Sequence, residues 1–322
     1  HTVDIDGAEV KAKLSTLRKE LSRPFRTAAG LRLSQELYTW ILRPVEPLLS
    51  DAQAKTLVFV LDGKFRNVPM AILHDGEQYI VQHYALALMP GLQLLEPQPL
   101  SDSSLDVLTF GLSQMRKEFP PHNGFTDLNN VEVEVKEIKN QLPSRLFLNQ
   151  EFTQTTLAER IASVRAPIVH MATHGQFSSE PTDTFVLAWD QGIDVYTLSD
   201  ILRTRNAEAN PIELLVMSAC QTAEGDDRAA LGLAGIAVRS GARSTLASLW
   251  TVDDKATADM MSQFYRELGQ AGGRSGSQPG NELSEPVAKA EALRRAQVAL
   301  LESDQFDAPR YWAPFILVGN WL

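Results

Sequence analysis

Short apolar runs separated by polar turns dominate this chain of 322 residues. Seven runs rich in branched aliphatic residues have the length of strands, and continuous apolar runs of this kind are typical of buried parallel strands. Helical spacing of apolar residues recurs between many of them, so the pattern predicts an α/β sandwich with helices around a mostly parallel central sheet. The predicted strands cover residues 57–61, 105–110, 167–171, 185–189, 214–218, 244–249 and 315–318.

Residues that cap or begin helices precede several of the helical patterns. Thr156 and Glu159 have the spacing of a capping box. Asn130 is a favourable N-cap for the apolar stripe that follows it. The two further predicted starts are the pair Asp253-Asp254 and Pro286.

Two segments interrupt this alternation. A stretch rich in Gly and Ser, residues 269–282, has no apolar periodicity and is predicted to be a flexible surface loop. Proline and small polar residues near positions 98–104 suggest a softer boundary. We therefore expect an N-terminal lobe of residues 1–100 and a second lobe of residues 101–322.

Charge and composition restrict the partners. The sequence has 30 Lys and Arg against 40 Asp and Glu, a net charge of −10, without a basic run that could bind a phosphate backbone. Nucleic acid is therefore not expected as a partner, whereas basic peptides would be attracted. No apolar stretch is long enough to predict a membrane span. The single cysteine suits a reducing compartment, so we expect a cytoplasmic location.

The chemistry-bearing residues follow two of the predicted strands. His174 comes just after the run at 167–171, and Cys220 just after the run at 214–218. The carboxyl ends of strands in an open parallel sheet meet at one edge, where ligands usually bind. Two adjacent strands would therefore bring this histidine and this cysteine together.

A Cys–His pair of this kind is suited to nucleophilic catalysis. The thiolate attacks a carbonyl carbon, and a neighbouring imidazole takes the proton of the thiol and later protonates the leaving amine. The backbone N–H groups of Gly175 and Cys220 have the right chain positions to form an oxyanion hole. Gly175 has no side chain that would block a substrate carbonyl.

Other interpretations remain open from these residues alone. A lone cysteine at a strand end is more often a small buried hydrophobe than a nucleophile. His170 precedes His174 by four residues, but four residues of a strand span about 13 Å, too far to share one metal ion. We therefore expect no metal, and we predict that His170 is a buried, hydrogen-bonded histidine of the sheet. A nucleotide-binding protein ranks last because the sequence has no phosphate-binding glycine motif, and no cofactor is expected.

Several motifs occur together in a characteristic order. They are HMATHG at 170–175, SACQTA at 218–223, ASLW at 247–250, VDD at 252–254, FY at 264–265 and WAPFILVG at 312–319, preceded by LDG at 61–63, VP at 68–69 and AIL at 71–73. Together they resemble the CHAT family, whose members are caspase-like domains related to caspases and separase and often located behind tetratricopeptide repeats. The resemblance extends from about residue 37 to residue 322.

This resemblance implies a caspase–hemoglobinase fold and peptide-bond cleavage of a protein substrate. It implies that His174 is the general base and Cys220 the nucleophile, with Gly175 as an oxyanion donor by analogy with caspases. It also implies that a regulatory repeat domain precedes His1 in the full protein. The caspase signature Q-A-C-[RQG]-G is not reproduced, so caspase specificity for aspartate is not transferred.

Acidic residues near the pair suggest a different specificity. We expect a substrate pocket that prefers Arg or Lys before the scissile bond, and an ordering of residues 222–230 before catalysis. The candidate pocket residues are Asp190, Asp194, Glu224, Asp226 and Asp227. The sequence thus predicts a regulated cysteine endopeptidase with weak activity in isolation. The alternative is a catalytically silent caspase-like interaction module.

Overall fold

The computed structural model describes most of the chain. The described residues are 2–3, 5–89, 91, 97–100, 105–177, 184–205, 211–218, 220–222, 241–270 and 287–322, with residues 177, 220–222 and 270 described by their backbone. Four predicted features lie outside this part of the chain: the acidic residues Glu224, Asp226 and Asp227, the segment 223–230, Pro286, and the stretch 271–282 of the Gly/Ser-rich segment.

The described strands form two sheets. In the eight-stranded sheet the order is β1-β2-β12-β11-β9-β5-β3-β4, and every pair is parallel except β11 with β12. A four-stranded sheet has the order β10-β6-β7-β8. The strands are β1 Thr56–Phe59, β2 Ala85–Leu88, β3 Val107–Gly111, β4 Ser144–Leu148, β5 Ile168–Ala172, β6 Gly175–Phe177, β7 Phe185–Leu187, β8 Gly192–Asp194, β9 Leu214–Met217, β10 Cys220–Thr222, β11 Ser244–Ser248 and β12 Phe315–Gly319.

Helices cover both faces of the eight-stranded sheet. They are α1 Gly7–Leu21, α2 Ala28–Ile41, α3 Glu46–Asp51, α4 Val131–Gln141, α5 Gln154–Ser163, α6 Val195–Arg203, α7 Asp254–Gln270, α8 Lys289–Leu301 and α9 Pro309–Trp312. Short 3₁₀ turns lie at Arg43–Val45, Gly63–Asn67, Met70–Ile72, Ile80–Gln82, Pro120–His122 and Asn149–Glu151. Among the helices in the described ranges, none is long and apolar enough to cross a bilayer.

The central strands are buried on both faces, which explains their continuous apolar sequences. All five residues of β5 are buried, and alternate side chains contribute to opposite cores. Ile168 packs in the core that includes residues of α4, α7 and α8. Val169 and Met171 pack in the core that includes residues of α5 and α6. The predicted α/β sandwich with a mostly parallel sheet is confirmed.

Two predicted strand assignments need correction. The run at 185–189 forms β7, which belongs to the four-stranded sheet and runs antiparallel to β6 and β8. β12 pairs antiparallel with β11. The apolar pattern reports burial and not the direction of the neighbouring strand, so it could not separate these strands from the parallel ones. β2, β4 and the three-residue strands β6, β8 and β10 were not predicted. β4 lies at an edge and is only partly buried, so its apolar pattern is weak.

The helix starts are also corrected in detail. The N-cap of α5 is Thr153, three residues before the predicted Thr156, and its side chain accepts the N–H of Thr156. Asn130 is the N-cap residue of α4, but its side chain does not cap that helix. α7 extends through Gln270, so the first two residues of the predicted 269–282 loop are helical. α8 begins at Lys289.

The predicted boundary between lobes falls between β2 and β3. β2 pairs with β12, so strands from both sides of residue 100 share the same sheet. One hydrophobic core also combines residues from both sides, from Leu14 to Val318. The N-terminal residues are therefore built into the same sheet and core that carry the second part of the chain.

Candidate active site

Two neighbouring strands bring the predicted pair to one edge of the sheet. β5 and β9 run parallel, with Met171 opposite Met217 at their ends. After β5 and β9 the chain continues into β6 and β10 of the four-stranded sheet, and these two strands are again parallel. Cys220 is the register partner of Gly175, the residue that follows His174. Because adjacent strands lie about 4.8 Å apart, the backbones of Gly175 and Cys220 are direct neighbours.

The imidazole of His174 is partly buried and held by residues from one loop. Its Nε2 lies 2.7 Å from the carbonyl oxygen of Thr126. The ring of Phe125 packs on the imidazole with a centroid distance of 4.9 Å, and Phe125 in turn meets the ring of Phe185 on β7. The loop between β3 and α4 thus fixes the orientation of the imidazole.

The contact with Thr126 also fixes the tautomer of His174. A carbonyl oxygen can only accept, so Nε2 must carry a proton, which leaves Nδ1 as the acceptor in the neutral ring. Burial lowers the pKa of His174 below its ordinary value of 6.5. The Thr126 hydrogen bond and the charge of Asp254 partly oppose this shift. The neutral, Nε2-protonated imidazole is therefore favoured at neutral pH, with Nδ1 able to accept a proton.

The backbone around His174 is anchored to β7. The carbonyl oxygen of His174 accepts the N–H of Leu187 at 2.8 Å. The hydroxyl of buried Thr173 donates to the carbonyl oxygen of Leu187 at 2.7 Å. These bonds give His174 a defined position although it lies between two strands.

His170 occupies the interior of the sheet below this site, as predicted. Its Nδ1 lies 3.1 Å from the hydroxyl of Tyr265, and its Nε2 lies 2.9 Å from Oε1 of Glu134. The side chains of His170 and Glu134 are 0% and 1% exposed. The hydroxyl of Tyr265 is thus the hydrogen-bond partner of Nδ1, and the Glu134 carboxyl is the neighbour of Nε2.

The two candidate pocket residues that the structure describes have helix-capping partners. Asp190 accepts the N–H of Gln154 at the start of α5. Asp194 is the N-cap of α6 and accepts the N–H groups of Tyr196 and Thr197. These hydrogen bonds, with that of Thr197 first, lower the pKa of Asp194. Asp194 ends β8, which is separated from β6 by β7.

Sequence reasoning missed Phe125 and Thr126. Thr126 contributes a backbone carbonyl, which every residue type has, so no side-chain pattern could identify it. Phe125 is one of 13 phenylalanines and does not directly follow a predicted strand. The only usable signal was the position of the loop, which follows β3, the strand beside β5.

Comparisons with family models and with solved structures bear on the family and the fold of the chain. The family model of the CHAT domain matches residues 31–320. A search of curated proteins finds no significant match. Two solved structures of the cysteine proteinase gingipain R are similar. One is described as the Arg-specific cysteine proteinase RgpB, with 9% identity, a TM-score of 0.54, and coverage of 98% of this chain and 75% of that chain.

The second structure contains the pro- and mature domains of RgpB from Porphyromonas gingivalis. It has 8% identity and a TM-score of 0.52, and the match covers 98% of this chain and 77% of that chain. Such low identities report similarity of fold only. The family match extends over most of the chain and includes both His174 and Cys220. The chain therefore belongs to the CHAT domain family and has the fold of the caspase-like cysteine peptidases.

Proposed function

We propose that the chain is a cysteine endopeptidase in which Cys220 is the nucleophile and His174 the general base. The register of β6 and β10 carries this proposal, because it puts the backbone of Cys220 beside Gly175, directly after His174. The orientation of the imidazole adds support, since Nε2 donates to Thr126 and leaves Nδ1 as the proton acceptor.

In the proposed first step, Nδ1 of His174 takes the thiol proton while the sulfur attacks the carbonyl carbon of the scissile peptide. The carbonyl oxygen becomes an oxyanion, for which the N–H groups of Gly175 and Cys220 are the proposed donors. Collapse of the tetrahedral intermediate breaks the C–N bond, and the imidazolium of His174 gives its proton to the leaving amine. The product is a thioester on Cys220.

The second step releases the acyl group. His174, neutral again, takes a proton from a water molecule, whose oxygen attacks the thioester carbon. Collapse expels the Cys220 sulfur, which regains its proton from His174, and the carboxylic acid product leaves. Because the pKa of His174 is below 6.5, the imidazole is in the required neutral form before each step at neutral pH.

The direct test is turnover of a protein or peptide substrate by the wild-type chain and by single variants. Cys220→Ser and His174→Ala should each lower kcat by several orders of magnitude while the folded circular-dichroism spectrum is retained. His83→Ala is a suitable control, because the His83 side chain is 45% exposed and pairs with Asp75, outside the candidate site. Equal turnover by wild type and Cys220→Ser would refute the proposal.

We further propose a preference for Arg or Lys before the scissile bond. Asp254 exerts a negative field at His174, and the chain carries a net charge of −10. One similar structure is described as Arg-specific. Asp190 and Asp194 already cap helices, so they are weaker candidates than their sequence positions suggested. Cleavage of a fluorogenic library tests this preference, and faster turnover of Asp or apolar substrates would contradict it.

Regulation by a repeat domain or partner is part of the same proposal. CHAT domains often follow tetratricopeptide repeats, and the isolated domain is accordingly expected to have weak activity. Strong turnover without any partner would argue against such control. A catalytically silent interaction module is the alternative, and it predicts no turnover under any condition and an ordinary thiol at Cys220.

A further inference from the structure

The loop that presents the Thr126 carbonyl, residues 112–128, is closed by bonds within itself and to β5. Leu112 donates its N–H to Ala172 at 2.9 Å, and Leu128 donates to Ser113 at 2.9 Å. The N–H of Met115 donates to Oδ1 of Asp127 at 2.7 Å. These bonds fix the two ends of the loop. Between them, the N–H of Phe125 donates to the carbonyl oxygen of His122, and the guanidinium of Arg116 donates to the carbonyl oxygen of Trp189 at 3.3 Å.

His122 occupies the middle of this loop and is 1% exposed. Its Nδ1 accepts the backbone N–H of Arg116 at 3.0 Å. Its Nε2 lies 2.9 Å from the carbonyl oxygen of Ala188. The rings of Phe119 and Trp189 pack against the imidazole edge-on, with centroid distances of 5.2 and 6.4 Å.

These partners allow only one protonation state of His122. A backbone N–H can only donate, so Nδ1 must be unprotonated. A carbonyl oxygen can only accept, so Nε2 must carry the proton. The neutral Nε2-protonated ring satisfies both, whereas the other tautomer would fail at both ends.

His122 also connects the loop to the strand that positions His174. Ala188 directly follows Leu187, the last residue of β7, whose N–H and carbonyl hold His174 and Thr173. His174 and the loop that carries its hydrogen-bond acceptor are thus both hydrogen-bonded to the same end of β7. A shift of the loop would move the Thr126 carbonyl relative to Nε2 of His174.

We infer that His122 is a positioning residue for His174. It clamps the loop 112–128 to the end of β7, so that the Thr126 carbonyl holds His174 with Nδ1 free to accept a proton. This inference deepens the proposed peptidase function and rests on it. In the part of the chain that the structure describes, the imidazole of His122 exchanges hydrogen bonds with backbone groups only, namely the N–H of Arg116 and the carbonyl oxygen of Ala188.

The inference is tested by nitrogen NMR of the imidazoles in wild type and in His122 variants. In wild type at neutral pH, His122 and His174 should both show the neutral Nε2-protonated signature. In His122→Ala, His174 should show a mixture of tautomers. Because misplacement of a reacting group by about 1 Å costs up to about 100-fold in rate, kcat should fall roughly 10- to 100-fold with little change in KM.

Two conservative variants separate positioning from general packing. In His122→Asn the amide ends where Nδ1 lies and can still accept from Arg116. In His122→Gln the amide reaches farther and can still donate to Ala188. Each keeps one of the two bonds, so each should restore part of the His174 signature and of kcat relative to His122→Ala. His83→Ala is the matched control and should resemble wild type.

The possible failures are distinguishable. If wild type has no turnover, the proposed function fails, while the imidazole spectra still decide the role of His122. An unchanged His174 tautomer in folded His122→Ala would overturn the inference. If that variant does not fold, the wild-type spectrum decides. An Nδ1-protonated or charged His122 at neutral pH is incompatible with its accepting the N–H of Arg116.

Discussion

At the scale of single residues, the orientation of His174 depends on a backbone carbonyl, because its Nε2 lies 2.7 Å from the carbonyl oxygen of Thr126. His174 and Cys220 stood out because a titratable or nucleophilic residue follows an apolar strand in each case. Thr126 gave no such signal, since its contribution is a carbonyl oxygen. The capping roles of Asp190 and Asp194 were equally hidden, because an acidic residue looks the same in sequence whether it binds a substrate or caps a helix.

The protonation of His174 leads to a prediction for the pH dependence of activity. Burial lowers the pKa of His174 below 6.5, so the base form persists at neutral pH and is lost as the pH falls through that lowered value. The acid limb of kcat/KM, which reports the free enzyme, should therefore have its midpoint below 6.5. A midpoint above 6.5 would indicate that the resting site holds an imidazolium paired with a thiolate.

At the scale of elements, helix α5 offers a direct comparison between a sequence-based expectation and the structure. The hydroxyl of Thr153 accepts the N–H of Thr156, so Thr153 caps α5. Thr153→Ala should lower the free energy of unfolding by about 1 kcal/mol. Thr156→Ala should cost less, because Thr156 lies within the helix. Denaturant unfolding of the two variants measures this, and a larger loss for Thr156→Ala would favour the capping box instead.

The buried pair of His170 and Glu134 joins β5 to α4. Removal of Glu134 leaves Nε2 of His170 buried without this neighbour, so Glu134→Leu should lower the free energy of unfolding by about 1–3 kcal/mol. Replacement of both by Leu should cost clearly less than the sum of the two single changes. Lys136→Ala, on the exposed face of the same helix, is the control and should change stability by less than about 1 kcal/mol. Additive losses would show that the pair is not coupled.

Strand positions were predicted well where both faces of the strand are buried. They were predicted poorly where the strand lies at a sheet edge, and the direction of pairing was not predicted. β5, β9 and β11 are buried on both faces, and their apolar runs mark them to within one or two residues. β4 is half-buried at an edge and was missed. β7 was found as a strand, but apolar spacing does not encode its antiparallel pairing with β6 and β8.

At the scale of the whole molecule, residues far apart in sequence converge on one sheet. The pairing of β2 with β12 joins residues near 88 to residues near 318. The N-terminal helix α1 adds a contact of its own, since the guanidinium of Arg18 lies 4.0 Å from the ring centroid of Trp250. The α/β class followed from the alternating pattern. The pairing of β2 with β12 could not be predicted, because no local signal specifies which distant strand will be the neighbour.

The central claim is that the thiol of Cys220 is activated by His174, and the pH dependence of iodoacetamide labelling tests it most directly. Cys220 is the only cysteine in the sequence, so all thiol labelling reports on it. Because the neutral imidazole of His174 accepts the thiol proton as the sulfur attacks, the labelling rate should follow the neutral imidazole, with an inflection below 6.5 in wild type. The inflection should shift to about 8.5 in His174→Ala and should not change in His83→Ala. An inflection at or above about 8.5 in wild type, unmoved by His174→Ala, would contradict the account.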